Sequence, residues 1–295
     1  MLGNSLSRVL QGHNTKVFAP TRSELDLSSI TDVRDFMRKI KPDIIFHCAA
    51  AVGGIQANLD AKSKFLTENY VIDFNLLTAA RDEKVPKLAY IGSSCMYPAG
   101  IDVPMAEEML LTGSFEKTNE NYALAKVIGT KYVDAVREQD SLKWHTFISS
   151  NLYGPNDNFS PNYSHLIASI ISKVYNSKKS QSGEIEIWGS GKARREFTYV
   201  DDFAIYMADI MMNDRDIDGI INVGFGQDFQ VIEFYQFVMG IAGVDLKITH
   251  DLTKPEGNSR KLMDSSRAIR FGWAPKTDII SGIEKTYEWF VRKQN

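Results

Sequence analysis

Apolar positions alternate along the chain between helical and strand spacing. Leu2, Leu6, Val9 and Leu10 recur at helical intervals ahead of Gly12, and residues 16–19 then read as a short strand. A helix over about 30–40 follows, then the apolar run 43–48 behind Pro42, a helix over about 65–81 and a strand at 87–91. A loop rich in acids and proline leads to a helix over 122–137 and a strand at 144–149. Strands joined by helical crossovers pair in parallel, so the pattern predicts an α/β fold with a doubly wound, Rossmann-type parallel sheet. From Tyr153 the texture changes to loops rich in Asn, Pro and Gly, a helix near 165–175 and short strands near 185–188 and 220–223. Residues 1–152 are therefore expected to form a cofactor-binding domain to which 192–225 contributes, and 153–295 mainly a smaller substrate-binding lobe. At the end, Ile279, Ile280, Ile283, Tyr287 and Phe290 are expected on one face of a helix over 278–292 behind an Asp278 cap.

Composition narrows the function. The chain of 295 residues is 43% hydrophobic and 24% charged, with 34 basic and 37 acidic side chains and a net charge of -3. That is a globular composition, and it disfavours nucleic acid as a partner. The most apolar windows, such as 42–52, fall short of the roughly 18 residues of a membrane span. No signal peptide opens the chain, so a cytoplasmic location is expected. The two cysteines, Cys48 and Cys95, have neither CxxC spacing nor the density of a disulfide scaffold. His13, His47, His145 and His250 show no ligand spacing, so no metal is expected and these histidines read as structural or exposed.

Tyr122 and Lys126 lie four apart on a segment of good helix formers, so both project from one face. An ammonium beside a phenol lowers the tyrosine pKa and makes it a usable proton donor or acceptor for a carbonyl or alcohol. The same spacing also arises from an amphipathic helix with a core tyrosine and a solvated lysine. Ser93 supplies context. It stands just past a predicted strand, on the edge where open parallel sheets bind ligands.

With these three residues the chain resembles the extended short-chain dehydrogenase/reductases, whose catalytic Ser, Tyr and Lys match Ser93, Tyr122 and Lys126. The resemblance spans nearly the whole length. It includes Arg22, Asp26-Leu27, Ala49-Ala50-Ala51, Asn69, Asn151-Leu152-Tyr153-Gly154-Pro155, Arg195-Glu196-Phe197 and Phe271-Gly272-Trp273. Finer motifs, Val52-Gly53-Gly54-Ile55, Gly92-Ser93-Ser94-Cys95-Met96-Tyr97-Pro98, Ser164-His165 and Trp188-Gly189-Ser190-Gly191, are similar to those of the GDP-L-fucose synthase family. That likeness implies epimerisation of GDP-4-keto-6-deoxymannose at C3 and C5, then reduction at C4 with NADPH.

Several roles follow from the resemblance alone. Cys95 would be the epimerisation base and His165 the acid. Inversion beside a ketone independently calls for one group that removes a proton and another that returns it. Without the resemblance, Cys95 reads as a small buried filler and His165 as a helix-start residue, and Cys48 reads as a filler in any case. NADP(H) would contact Gly3, Arg22, Asp26, Ala49, Ala50, Tyr122, Lys126 and Asn151. Arg22 favours a 2′-phosphate, and hence NADP over NAD, although a solvated turn arginine fits the same position. The GDP-sugar would meet Ser93, Asn151, His165, Lys173, Trp188, Arg195 and Lys261. Trp188 fits a core residue and the two lysines a solvated surface equally well.

Family members pair two long helices from each subunit, so a homodimer with a four-helix interface is expected, built here on 65–81 and 122–137. They also open on a strand and a glycine-rich turn that cradles the pyrophosphate. Met1-Leu2-Gly3 matches only the last part of that turn. The start is therefore expected to be an internal methionine of a longer product, or else the chain is a variant that has lost cofactor binding. Other readings are a nucleotide-sugar 4-epimerase or 4,6-dehydratase, which does not call for Cys95 with His165, and a non-catalytic sensor of nucleotide sugars or cofactor. A dehydratase should carry an Asp-Glu pair near Ser94-Cys95, and none is present.

Overall fold

Short apolar runs become strands and the longer periodic segments become helices, in alternating order. The computed structural model describes residues 1–161, 163–254 and 257–294. Its strands are β1 (Ile44–His47), β2 (Lys87–Ser93), β3 (Lys143–Ser149), β4 (Asn151–Tyr153), β5 (Glu184–Trp188), β6 (Arg194–Tyr199), β7 (Ile220–Val223), β8 (Asp228–Gln230), β9 (Lys247–Asp251) and β10 (Arg260–Lys261). Its helices are α1 (Leu2–Gln11), α2 (Ile30–Ile40), α3 (Ile55–Asp60), α4 (Lys62–Asp82), α5 (Glu120–Asp140), α6 (Leu166–Ser180), α7 (Val200–Met212), α8 (Val231–Ala242), α9 (Ser266–Arg270) and α10 (Ile279–Gln294).

The main sheet has the order β1-β2-β3-β7, and every neighbouring pair is parallel. Helices cover both faces, as a sheet buried on two sides requires. On one side α1 and α7 supply Leu6, Leu10, Phe203, Met207 and Ile210, which pack with Phe147, Ile221, Val223 and Trp273. On the other, α2, α4 and α5 supply Val33, Met37, Leu76, Leu77, Val133 and Val136 around Leu88, Tyr90 and Trp144. A separate cluster, with Ile167, Ile170, Phe197, Phe234, Val238, Ile283 and Phe290, unites α6, α8 and α10 with β6. There β10, β6 and β4 run parallel, β8 pairs antiparallel with β6, and β5 pairs with β9. Asp278 caps α10 as the sequence predicts, its Oδ1 accepting from the Ser281 N–H at 3.0 Å, but Ile280, expected on the apolar face, turns to solvent one position beyond the buried Ile279.

Residues 16–19 form no strand. Among the described residues neither edge of the main sheet pairs with them: β1 bonds only to β2, and β7 only to β3. A strand without a neighbour leaves its N–H and C=O groups to water, and β-branched or aromatic side chains cannot replace that ladder. No helix among the described residues is long and apolar enough to cross a membrane.

Candidate active site

At the carboxyl end of β2 the chain breaks sharply into a single 3₁₀ turn, Ser94–Met96. Ser93 is still extended, and its Oγ accepts from the Cys95 N–H at 3.2 Å. Gly92 makes the turn possible, since a Cβ there would lie 3.1 Å from Ile148 and 3.2 Å from Met96 Sδ. This bend brings Ser93 and Cys95 to the first turn of α5. The Tyr122 hydroxyl is hydrogen-bonded to Ser93 and lies near Cys95. Asn119, the residue that opens α5, turns its side chain away from the helix, and its Nδ2 donates to Cys95 Sγ at 3.0 Å. Lys261 reaches the same sulfur from β10, with Nζ 3.6 Å away.

Lys126 departs from its expected role. It is buried, and its ammonium sits 3.4 Å from Asp73 and 4.0 Å over the Tyr90 ring. Asp73, on α4, also holds His47 Nε2 at 2.7 Å and the Tyr90 hydroxyl at 2.5 Å. The lysine charge is thus spent on a carboxylate. Burial pushes the Tyr122 phenol above its ordinary range, and Cys95 and Asp73 add to the rise, so the sequence-based expectation of a lowered tyrosine is not met. Burial also lowers Lys126, against the pull of Asp73. The cluster is tight. A Cβ at Gly129 would stand 2.2 Å from the Tyr90 hydroxyl, so only glycine lets α5 approach so closely.

His165 precedes the first turn of α6, with the Asp157 carboxyl nearby, and no hydrogen bond joins it to Cys95 among the described residues. A chain of contacts nevertheless connects the two. Lys261 pairs in register with Arg195 on neighbouring parallel strands, so both side chains leave one face of the sheet. A side chain at Gly257 would meet Arg195 at 3.3 Å and Ile55 at 3.7 Å, and one at Gly54 would strike the Ser164 carbonyl at 2.8 Å. The Gly53-Gly54-Ile55 loop therefore stands between the Arg195–Lys261 pair and the start of α6.

The remaining expected contacts are scattered. Lys173 donates to the Glu186 carbonyl at 3.2 Å, and its ammonium and that of Lys254 each lie over the half-exposed Trp188 ring, 5.6 and 5.3 Å from its centroid. Asn151 Nδ2 is engaged by the Glu196 carbonyl at 2.9 Å. Arg22 is exposed, while Asp26 accepts from Ser28 in its own turn. Gly3 lies in α1 over Cys48, whose thiol burial pushes up to about 12. Ala49 and Ala50 follow β1 in a loop clamped by Asn69, which bonds both the N–H and the carbonyl of Ala51. Among the histidines, His13 is exposed, His250 bonds the Gly189 carbonyl, and burial holds His145 down to about 4. No group of His, Cys, Asp and Glu among the described residues could hold a metal ion.

The residues fit the nicotinamide half of a dinucleotide. Ser93 and Tyr122 supply hydroxyls and Lys126 an ammonium beyond the carboxyl end of β2, and in the loop held by Asn69 Ala49 is exposed. Two residues at the centre escape sequence reasoning. Asp73 stands four positions after Asn69 on α4, a spacing that could have flagged it as a second polar residue on the buried face. Asn119 looks like an ordinary helix cap.

Glu196 staples this region together. Its carboxylate accepts from the N–H groups of Gly226 at 2.7 Å and Met263 at 3.0 Å. Burial still pushes its pKa up to about 7, above the roughly 4.3 of a free glutamate. The stability tied to the protonated form is then complete below about pH 4 and lost as the pH rises through 7, on the order of 3 kcal/mol in all. Urea unfolding of Glu196→Gln is expected to lack this decline between pH 5 and 8. An unchanged decline would assign it to another group.

Comparison with known proteins gives a consistent picture. A family model described as the NAD dependent epimerase/dehydratase family matches residues 1–224. GDP-L-colitose synthase of Yersinia pseudotuberculosis is 40% identical over 296 residues, covering 100% of this chain and 96% of the relative. GDP-L-fucose synthase of Escherichia coli is 35% identical over 304 residues, covering 100% and 95%. Among solved structures, a GDP-D-glycero-L-gluco-heptose synthase from Campylobacter jejuni, determined in the presence of NADPH, superposes with a TM-score of 0.86 at 27% identity, covering 99% and 95%.

Proposed function

The chain belongs to the NAD-dependent epimerase/dehydratase family, and from that membership we propose that it is a GDP-L-fucose synthase, inverting C3 and C5 of GDP-4-keto-6-deoxy-D-mannose before an NADPH-dependent reduction at C4. The observation that carries this reading is the sulfur of Cys95 held against the bonded Ser93–Tyr122 pair at the end of a parallel strand. A simple carbonyl reductase has no use for a base there.

Cys95 takes the C3 proton and later the C5 proton. The electron pair moves onto the C4 carbonyl oxygen, where Ser93 and Tyr122 donate hydrogen bonds to the developing charge. His165 gives its own proton to each carbon from the opposite side of the ring, and the Cys95 thiol and His165 then exchange protons with water before the next inversion. Bound NADPH supplies the hydride for C4. Tyr122 then protonates the oxygen, and its raised pKa keeps the phenol charged with that proton at neutral pH. Lys126 has three donors, so it can hold the nicotinamide ribose while retaining Asp73. Arg195 suits the diphosphate and Trp188 the guanine. In this reading 1–152 with 192–225 forms the cofactor domain, 153–295 supplies most of the sugar site, and the enzyme works in the cytoplasm.

GDP-L-colitose is a second possible product, favoured by the 40% identity to a colitose synthase. Colitose is fucose without its 3-hydroxyl, so C3 needs no inversion. Turnover of the 4-keto-6-deoxy substrate and of its 3-deoxy counterpart, each with NADPH in D₂O, separates the two. NADPH oxidation with deuterium at C3 and C5 of the first supports fucose synthesis. Turnover of the 3-deoxy sugar alone supports colitose, and neither signal would sink both.

The enzyme is also proposed to be a homodimer through α4 and α5. Tyr70, Phe74, Leu124 and Ile128 are exposed there, and Tyr70 stacks on Phe74 with centroids 5.7 Å apart. An apolar patch on two adjacent helices is what a four-helix interface buries. Ile128→Lys is expected to shift the mass in sedimentation equilibrium from dimer to monomer. A wild-type monomer would refute the interface.

A further inference from the structure

We propose that Asn119 and Lys261 hold Cys95 as a thiolate and so set the strength of the base that takes the ring protons; this deepens, and rests on, the reading of Cys95 given above. Asparagine in the position before a helix ordinarily turns its oxygen onto the N–H of the second or third residue, worth about 1 kcal/mol. Asn119 makes no such cap. It gives Nδ2 to the sulfur at 3.0 Å, although this leaves its Oδ1 buried and without a hydrogen-bond partner among the described residues. A buried oxygen left this way costs about 1–3 kcal/mol, so the contact with sulfur governs the orientation of the amide. An N–H donor stabilises S⁻ more than S–H, because the charged acceptor forms the stronger bond.

Lys261 supplies the charge. Its ammonium is 3.6 Å from Sγ, and it forms no ion pair with a carboxylate among the described residues. An opposite charge at that range favours the ionised form. Among the described residues the other titratable group facing the sulfur is Tyr122 from α5, which is neutral and adds no opposing charge. Lys261 stands in register with Arg195 on the neighbouring strand, so in the proposed site a second cationic residue lies beside it. In the step itself the thiolate lone pair takes the proton, the C–H electrons pass to the ketone oxygen, and the resulting thiol must lose its proton again before the second inversion. A base held ionised by fixed donors is reset for that second use.

The test needs no substrate. In a Cys48→Ser background Cys95 is the sole thiol, and its rate of alkylation by iodoacetamide against pH reports the thiolate fraction directly. Lys261→Met is expected to slow alkylation near pH 7 about tenfold and to displace the profile toward higher pH. Asn119→Ala should shift it in the same direction by less, and Lys261→Arg should restore it. A profile unmoved in both Lys261→Met and Asn119→Ala would overturn the proposal and leave Lys261 to the diphosphate alone. Failure of the underlying reading looks different: Cys95→Ser would still take up deuterium from D₂O, whatever the alkylation profile does.

Discussion

Cys95→Ser is expected to lower deuterium uptake at C3 and C5 about a thousandfold, while reduction of an already epimerised 4-ketone stays within a few-fold of the native rate. The asymmetry follows from where the two chemistries sit. Removal of a ring proton needs a base at the sulfur, and a serine hydroxyl is not ionised at neutral pH. Positioned proton transfer is worth roughly 10²–10⁴ in rate. Reduction instead uses the Ser93 and Tyr122 hydroxyls, and the substitution changes one atom that neither needs. The Ser93 hydroxyl accepts from the backbone of residue 95, not from its side chain, so the turn after β2 survives. Mass spectrometry of product made in D₂O reads the first activity, and loss of NADPH absorbance with the epimerised ketone reads the second. Equal loss of both would mean that Cys95 only shapes the pocket.

Asp73→Ala is expected to lower the unfolding free energy by about 3–5 kcal/mol, the usual effect of leaving a buried charge without its partner. Three donors converge on this carboxylate, from His47 on β1, Tyr90 on β2 and Lys126 on α5. Burial raises its pKa, yet Lys126 and the hydrogen bonds hold the net value below the ordinary carboxylate range. A depressed carboxyl stabilises the fold at any pH above its unfolded value near 3.9 and loses that contribution as the pH falls through its folded value. Asp73→Asn keeps an acceptor but removes the charge, so it should retain part of the stability and still leave Lys126 misplaced. Urea unfolding at pH 7 measures all three proteins. A change below about 1 kcal/mol in Asp73→Ala would show that the cluster is held by its apolar surroundings.

Much of this architecture was legible in the pattern of side chains. The helix over 30–40, the strand at 220–223 and the Asp278 cap appear where periodicity and capping chemistry put them, because those signals are local. Residues 16–19 have the same local look and form no strand, since a ladder depends on a neighbour that a window of sequence does not contain. The two- and three-residue strands β4, β8 and β10 are set by pairing with β6, and so they too were invisible. In the site, motif likeness led to Ser93, Cys95 and Tyr122, which the fold brings within reach of one another. The direction of Lys126 was misread because Asp73 is remote in sequence, and an ammonium answers to whichever charge stands nearest in space.

Asp73 has one more neighbourhood. It also lines the shallow apolar groove between α4 and α5, beside Tyr70, Phe74, Ile128 and Gly129. The same carboxylate that meets the groove holds the lysine, and a second subunit seated on α4 and α5 would cover it. Dilution would then reach the nicotinamide end through hydration of a single carboxylate, with no residue exchanged between subunits, and assembly would act as a dielectric seal.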